Sequence, residues 1–266
     1  MADSRPTRVA IVTGASQGIG RAIALRLAKD GLDVAVNDIA SKVDQLDAVA
    51  NEIRATGTGR KSSVHTADVS QEAEVKKMIE DVAEIHGGID VMVANAGIAI
   101  NKPFMGTTVE EWDRIFSINA RGTFLCYQHS ANQMIKQGRG GRIIGASSIL
   151  GKTGISDNLA AYAGTKFAVR GITQAAAGEL GRHKITVNAY APGLIDTQMT
   201  RDIDKNAAEV YDWQPGDFFK SFNSRSPLGY SGYPEDIAGL VSYLVSDEAH
   251  FITGQTISIN GGVFCD

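Results

Sequence analysis

The sequence predicts an α/β fold, a doubly wound parallel sheet of seven strands with helices on both faces in a single domain, and three features carry that expectation. Short β-branched runs alternate with longer stretches of helical period over the whole 266-residue chain. Early runs such as Val9-Ala10-Ile11-Val12 are apolar at every position. That suits strands covered on both faces, not strands with one wet face. The first run passes directly into a glycine turn and then into a helical stretch.

The strands are expected at Val9 to Thr13, Asp33 to Asp38, Ser63 to Ala67, Val91 to Ala94, Arg142 to Ala146, Thr186 to Ala189 and Thr256 to Ile259. Helical period marks Gly18 to Lys29, Lys42 to Ala55, Gln71 to His86, Val109 to Gln137, Ala160 to Gly181 and Pro234 to Ser246. No linker, low-complexity segment or further repeat interrupts this order, so residues 1–266 are expected to form one domain. The exception to regularity is Thr197 to Gly232, which holds Trp213, Phe218, Phe219 and Phe222 without a clear period. Long excursions of this kind are often functional, and its position before the last helix makes it an expected substrate lid at about 197–232.

Composition narrows the function. A net charge of -4 gives no basic field for a phosphate backbone, so nucleic acid is not an expected partner. The polar start, Met1 to Arg8, has no apolar core of a signal peptide, and no apolar run reaches the roughly 18 residues of a membrane span. A cytoplasmic location without membrane attachment is expected. Cys126 and Cys265 lack metal or disulfide spacing and are expected as free thiols, and His129, His183 and His250 have no partners at metal spacing, so no metal is expected.

The cofactor end is legible in Thr13-Gly14-Ala15-Ser16-Gln17-Gly18-Ile19-Gly20. Glycines after a strand let the backbone approach a pyrophosphate, while the helix N-terminus supplies N–H donors and the positive end of its dipole, the Rossmann arrangement. Asp38 closes the second strand, about 20 residues on, where a carboxylate accepts hydrogen bonds from the adenosine ribose. Its charge opposes a 2′-phosphate and no arginine flanks it, so NAD is expected over NADP. Asp68-Val69 and Asn95-Ala96-Gly97 follow the third and fourth strands, at the carboxyl ends where ligands of such sheets bind.

For chemistry, Tyr162 and Lys166 stand four apart in a helical stretch and share one face. An ammonium there stabilises a tyrosinate, which suits the tyrosine to act as acid in ketone reduction and base in alcohol oxidation. Ser148, after the fifth strand, offers a hydroxyl to the reacting oxygen.

Taken together, Thr13-Gly14-x-x-x-Gly18-Ile19-Gly20, Asn95-Ala96-Gly97, Asn119, Ser148, Tyr162-x-x-x-Lys166 and Pro192-Gly193 with Thr197 resemble the short-chain dehydrogenase/reductase family from first strand to last. The resemblance implies that Tyr162 is the proton donor or acceptor, that Ser148 orients the substrate oxygen, and that Lys166 holds the nicotinamide ribose. It further implies that Asn119 supports a water relaying protons to Lys166, and that Ile195 and Thr197 meet the carboxamide. The helices Val109 to Gln137 and Ala160 to Gly181 carry apolar residues over more than one stripe, including Ile115, Phe116, Ile118, Phe124, Leu125 and Met134. Packing on a second subunit is therefore expected, consistent with the family's usual homotetramer.

Within the family, Tyr162 to Gln174, Pro192 to Met199 and Pro227 to Gly262 look like diacetyl/acetoin reductases, also called butanediol dehydrogenases. Two departures touch the pocket: Ile149 follows Ser148 where that group carries a polar glutamine, and the interval from Ser148 to Tyr162 is one residue longer. An apolar residue there removes a hydrogen-bond partner for a small diketone. The alternatives are a reductase of a bulkier ketone in secondary metabolism, a sugar-alcohol dehydrogenase and, outside enzymes, a catalytically silent dinucleotide sensor. Gly145 is a further departure, on a strand where many relatives carry a polar residue.

Overall fold

A computed structural model describes residues 7–154, 158–211 and 213–265, without the side chains of 206–211. Residues 1–6 of the polar start, part of the Ser148 to Tyr162 interval and Asp266 lie outside the described residues. Seven parallel strands form one sheet in the order β3-β2-β1-β4-β5-β6-β7. They are β1 (Val9–Thr13), β2 (Asp33–Asp38), β3 (Ser62–Thr66), β4 (Val91–Ala94), β5 (Gly141–Ala146), β6 (Ile185–Pro192) and β7 (Thr256–Ile259). The strand order reverses between β1 and β4, which opens a crevice beyond their carboxyl ends.

Alternate residues of β1 feed two separate cores, as the two-residue period of a strand requires. Ala10 and Val12 pack with α1 (Gly18–Lys29), α2 (Val43–Ala55) and α9 (Pro234–Val245), through Ile23, Leu27, Leu46, Ile53, Ile237 and Val241. Val9 and Ile11 face α3 (Glu72–His86) and α5 (Gly122–Gln137), with Val75, Ile79, Leu125 and Met134. Strands apolar at every position thus follow from a helix layer on each face. No described helix is long and apolar enough to cross a membrane, and both cysteines are free.

Three expectations change. The helix expected over 109–137 is two helices, α4 (Val109–Phe116) and α5, joined by a π turn over Ser117–Arg121. The extra residue per turn re-phases the apolar stripes. Ile115, Leu125 and Met134 are buried within the chain, and α5 packs against α3, α6 (Ala160–Leu180) and the sheet, while Phe124 stays exposed. Much of the multi-stripe pattern is therefore intramolecular. The excursion at 197–232 is not aperiodic either: it holds α7 (Gln198–Tyr211) and α8 (Asp217–Asn223). The buried Asp204 carboxylate accepts from Gly216 N at 2.8 Å and Phe218 N at 3.3 Å, tying the start of α8 to α7. β6 extends from Ile185 to Pro192, longer at both ends than the expected 186–189, because Ile185 pairs with Gly141 of β5 and the carboxyl half pairs with β7.

Gly145 has a packing reason. A Cβ built there collides with the Tyr127 hydroxyl, which shares a hydrogen bond of 3.0 Å with Thr173 in the core. The polar group absent from the strand is supplied by a tyrosine reaching over from α5. Gly145→Ala is expected to lower stability by about 1–3 kcal/mol, an overpacking cost, and Tyr127→Phe in the same chain to recover part of it. Thermal unfolding midpoints of the three proteins check this.

Candidate active site

The cleft at the strand-order reversal has a volume of about 600 Å³. Its floor starts from Gly14, whose φ of +63° and missing Cβ let the chain pass within contact of Ala96; a Cβ there would lie 2.9 Å from Ala96 Cα. The Asn95 amide fills the remaining space, donating to Thr13 O at 2.8 Å and Gly14 O at 3.2 Å, while its Oδ1 accepts from the Tyr190 hydroxyl at 2.7 Å. Thr13 Oγ1 accepts from Asn95 N and Ala96 N, each at 3.0 Å. These bonds join β1, β4 and β6 where the cleft opens.

α1 then begins at Gly18, with Gln17 as its N-cap and no side chain capping it. The first N–H groups of a helix have no intrahelical partner. Gln17, Gly18, Ile19 and Gly20 line the cleft, so these donors and the positive end of the dipole face into it. Asp38, Asp68 and Val69 line it from the ends of β2 and β3, and Ala96 and Gly97 from the end of β4. Pro192, Gly193, Ile195 and Thr197 line it from beyond β6.

At the other end stand Ser148, Tyr162 and Lys166. Ser148 follows β5 and caps a short turn over Ile149–Gly151, its Oγ accepting from Leu150 N at 3.1 Å. This acceptance leaves its hydroxyl hydrogen free to donate, and the Tyr162 phenol lies near enough for Ser148 to lower its pKa. Tyr162 sits in the first turn of α6, with Lys166 one turn on. Gly151 lets the turn lie against that helix: a Cβ there would lie 2.6 Å from Lys166 O. The Lys166 ammonium lies 5.3 Å from the Tyr162 ring centroid and donates to Ala146 O at 2.8 Å. Burial pushes the Tyr162 phenol up to about 12, against a smaller lowering from Ser148, and pushes the Lys166 ammonium down to about 8.

Every site residue expected from the sequence lines this one cleft except Asn119. The π turn tucks Asn119 behind the floor, 1% exposed, with Nδ2 donating to Ile98 O at 2.9 Å and Oδ1 accepting from Ile98 N at 2.9 Å. Its carboxamide is therefore a positioning group for the Gly97-Ile98 segment. Ile149 is buried and does not line the cleft, contrary to the expected pocket contact. Ser16, Lys42, Ser147 and Tyr190 line it without having been singled out. Only Ser16 had a local signal, since it lies inside the glycine turn.

Glycines that admit close approach, uncapped donors of α1 and an ammonium with one partner among the described residues together fit a nicotinamide dinucleotide. A family model described as enoyl-(acyl carrier protein) reductase matches residues 14–264. A short-chain dehydrogenase/reductase of Armillaria gallica is 51% identical over 97% of each chain. An L-2,3-butanediol dehydrogenase of Corynebacterium glutamicum is 41% identical over 97% of this chain and 98% of its own. The crystal structure of a single-residue variant of actinorhodin polyketide ketoreductase with NADPH superposes with a TM-score of 0.90 at 32% identity, covering 97% of both chains.

The buried Lys166 makes a measurable prediction. Its folded pKa of about 8 lies below the ordinary 10.5, so the folded chain holds this proton less tightly than the unfolded one. The resulting penalty is complete below pH 8 and fades as the pH rises to 10.5. Without cofactor, the protein should gain on the order of 3 kcal/mol of stability across that window relative to a Lys166→Met variant. Urea unfolding of both at pH 7 and pH 10 tests this, and a pH-independent difference contradicts it.

Proposed function

Because the chain belongs to the short-chain dehydrogenase/reductase family, we propose that it transfers a hydride between NAD(H) and a carbonyl/secondary-alcohol pair, with Tyr162 as the acid and base. The observation that carries this reading is the convergence of Ser148, Tyr162 and Lys166 at one end of the cleft, opposite the glycine turn. The dinucleotide, when bound, supplies or takes the hydride.

In reduction, Tyr162 Oη gives its proton to the carbonyl oxygen as negative charge develops there, and the Ser148 hydroxyl donates a second hydrogen bond to the same oxygen. A phenol at about 12 is almost wholly protonated at neutral pH, so forming the tyrosinate that alcohol oxidation uses needs a nearby positive charge. Lys166 supplies it across 5.3 Å to the ring centroid. The remaining ammonium hydrogens of Lys166 are available to the nicotinamide ribose hydroxyls. Asn119 acts behind the floor: it holds Gly97-Ile98 in place and supports the water that returns protons to Lys166. Ile195 and Thr197 meet the carboxamide. Asp38 takes the adenosine ribose and favours NAD over NADP, although one structural neighbour was solved with NADPH.

For substrate, the reading is a small ketone of the diacetyl/acetoin type, supported by the likeness to a butanediol dehydrogenase and by the retreat of Ile149 from the cleft, which removes an apolar wall unsuited to such a molecule. A bulkier ketone is the second reading, favoured by Phe219 and Phe222, half-buried on α8, and by the half-exposed Trp213. The excursion at 197–232 serves as the lid in either case. Exposed Phe104, Met105, Trp112, Phe124 and Phe167 support a homotetramer.

A Tyr162→Phe variant should bind NADH within about twofold of wild type yet lose turnover by about 10²- to 10⁴-fold, the usual contribution of a positioned acid or base. NADH fluorescence titration and the nicotinamide absorbance with diacetyl, acetoin and bulkier ketones measure both. Retained turnover overturns the role of Tyr162, and turnover by wild type of bulkier ketones alone selects the second substrate reading.

A further inference from the structure

At the adenosine end of the cleft, charge alone does not decide between the two dinucleotides. Asp38 brings one negative charge, but Lys42, from the turn after β2, lines the same cleft and makes no side-chain hydrogen bond or ion pair among the described residues. Its ammonium would attract a 2′-phosphate while the carboxylate repels one. Discrimination then depends on where the carboxylate is held.

The carboxylate is held firmly. Ser16 Oγ donates to Asp38 Oδ2 at 2.6 Å, and Ser16 N approaches the same oxygen at 3.4 Å. Ile39 N donates to Asp38 Oδ1 at 2.9 Å. Ser16 is itself 5% exposed, within the glycine turn, and Ala15 N donates to Asn37 O at 2.9 Å, so the turn and the end of β2 are fastened side by side. A carboxylate offers about four lone-pair sites, and these bonds leave Oδ1 able to accept from a ribose hydroxyl. A 2′-phosphate brings no hydrogen to donate there and adds like charge.

We propose that Ser16 is a positioning residue for cofactor selection, its hydroxyl pinning Asp38 in the orientation that accepts an adenosine ribose and turns away a 2′-phosphate. The inference rests on the dinucleotide reading above and assigns it a second residue. A side-chain hydroxyl bound to a charged group is a strong local constraint. Its loss frees Asp38 to swing, which weakens the ribose bonds and removes the fixed repulsion together.

The test is a binding cycle read by fluorescence titration with NADH and with NADPH, using wild type, Ser16→Ala, Ser16→Thr, Asp38→Ala and the Ser16→Ala/Asp38→Ala double variant, with unfolding midpoints as the fold check. Ser16→Ala should raise the Kd for NADH by about 10- to 150-fold, the range for a hydrogen bond to a charged group. NADPH binding should change by less than about twofold or improve, so the preference for NADH falls. Ser16→Thr, which keeps the hydroxyl, should restore it. In the Asp38→Ala background the Ser16 change should have no further effect on NADH. An equal loss for both dinucleotides, or a loss that persists without Asp38, would mean that Ser16 contacts the pyrophosphate directly and overturns the proposal. So would an unchanged preference in Ser16→Ala. Wild type that binds neither dinucleotide overturns the cofactor reading itself, a result distinct from these.

Discussion

The amide of Asn95 occupies the one place where three strands and the glycine turn must meet without a gap. Gly14 and Gly20 approach each other so closely that a Cβ on Gly20 would meet both Gly14 O and the Asn95 amide. Asn95 answers two carbonyls, Thr13 O at the end of β1 and Gly14 O in the departing turn. Its own oxygen is satisfied by Tyr190 from β6. Buried polar groups in such a network support one another only while every member is paired. The position of α1, and with it the direction of its first N–H groups, follows from this joint, because the helix starts just after the Gly14 carbonyl that Asn95 holds.

The reacting end obeys a different constraint. Three tyrosines lie close in this part of the core, Tyr127, Tyr162 and Tyr190, and burial raises the phenol of each. Desolvation by itself makes all of them inert. Tyr162 differs in having the Ser148 hydroxyl and the Lys166 ammonium as neighbours, whereas Tyr127 is bonded to Thr173 and Tyr190 to Asn95. Environment, rather than residue type, therefore singles out one phenol. The same burial that raises the tyrosine lowers the lysine, driving two ordinarily similar proton affinities apart and so favouring the neutral form of each.

The sheet was readable because inner strands such as β1 and β4 are apolar on both faces and its helices amphipathic, patterns set by burial alone. Strands β1, β2, β4 and β7 have the expected bounds. The cleft was readable because its glycines, Asp38 and the Tyr162-Lys166 pair lie in short local motifs. What escaped depends on contacts distant in sequence. The π turn at Ser117–Arg121 preserves helical composition while shifting its phase, so 109–137 reads as one helix. The start of α8 is tied by Asp204 from another helix, which no period within the segment reveals. Ser16 and Tyr190 owe their places in the cleft to partners 22 and 95 residues away. Ile149 looked like a pocket wall through its adjacency to Ser148, but the chain turns at that point and Ile149 is buried as the first residue of the turn.

The ends of the 197–232 excursion meet at a parallel bridge between Ile195 and Gly232, with Gly232 N donating to Leu194 O at 3.0 Å and Asp196 N donating to Gly232 O at 2.9 Å, and Ser226 fastens its later part to Gly261 O at 3.0 Å. A segment whose two ends are stitched together at its root transmits little of its own length or shape to the sheet beneath. It is in effect a cassette: its two helices can be lengthened, shortened or exchanged in evolution or by grafting, while the joint at Asn95 and the residues at the reacting end keep their coordinates. A chain built this way diversifies what it recognises without having to rediscover how it folds.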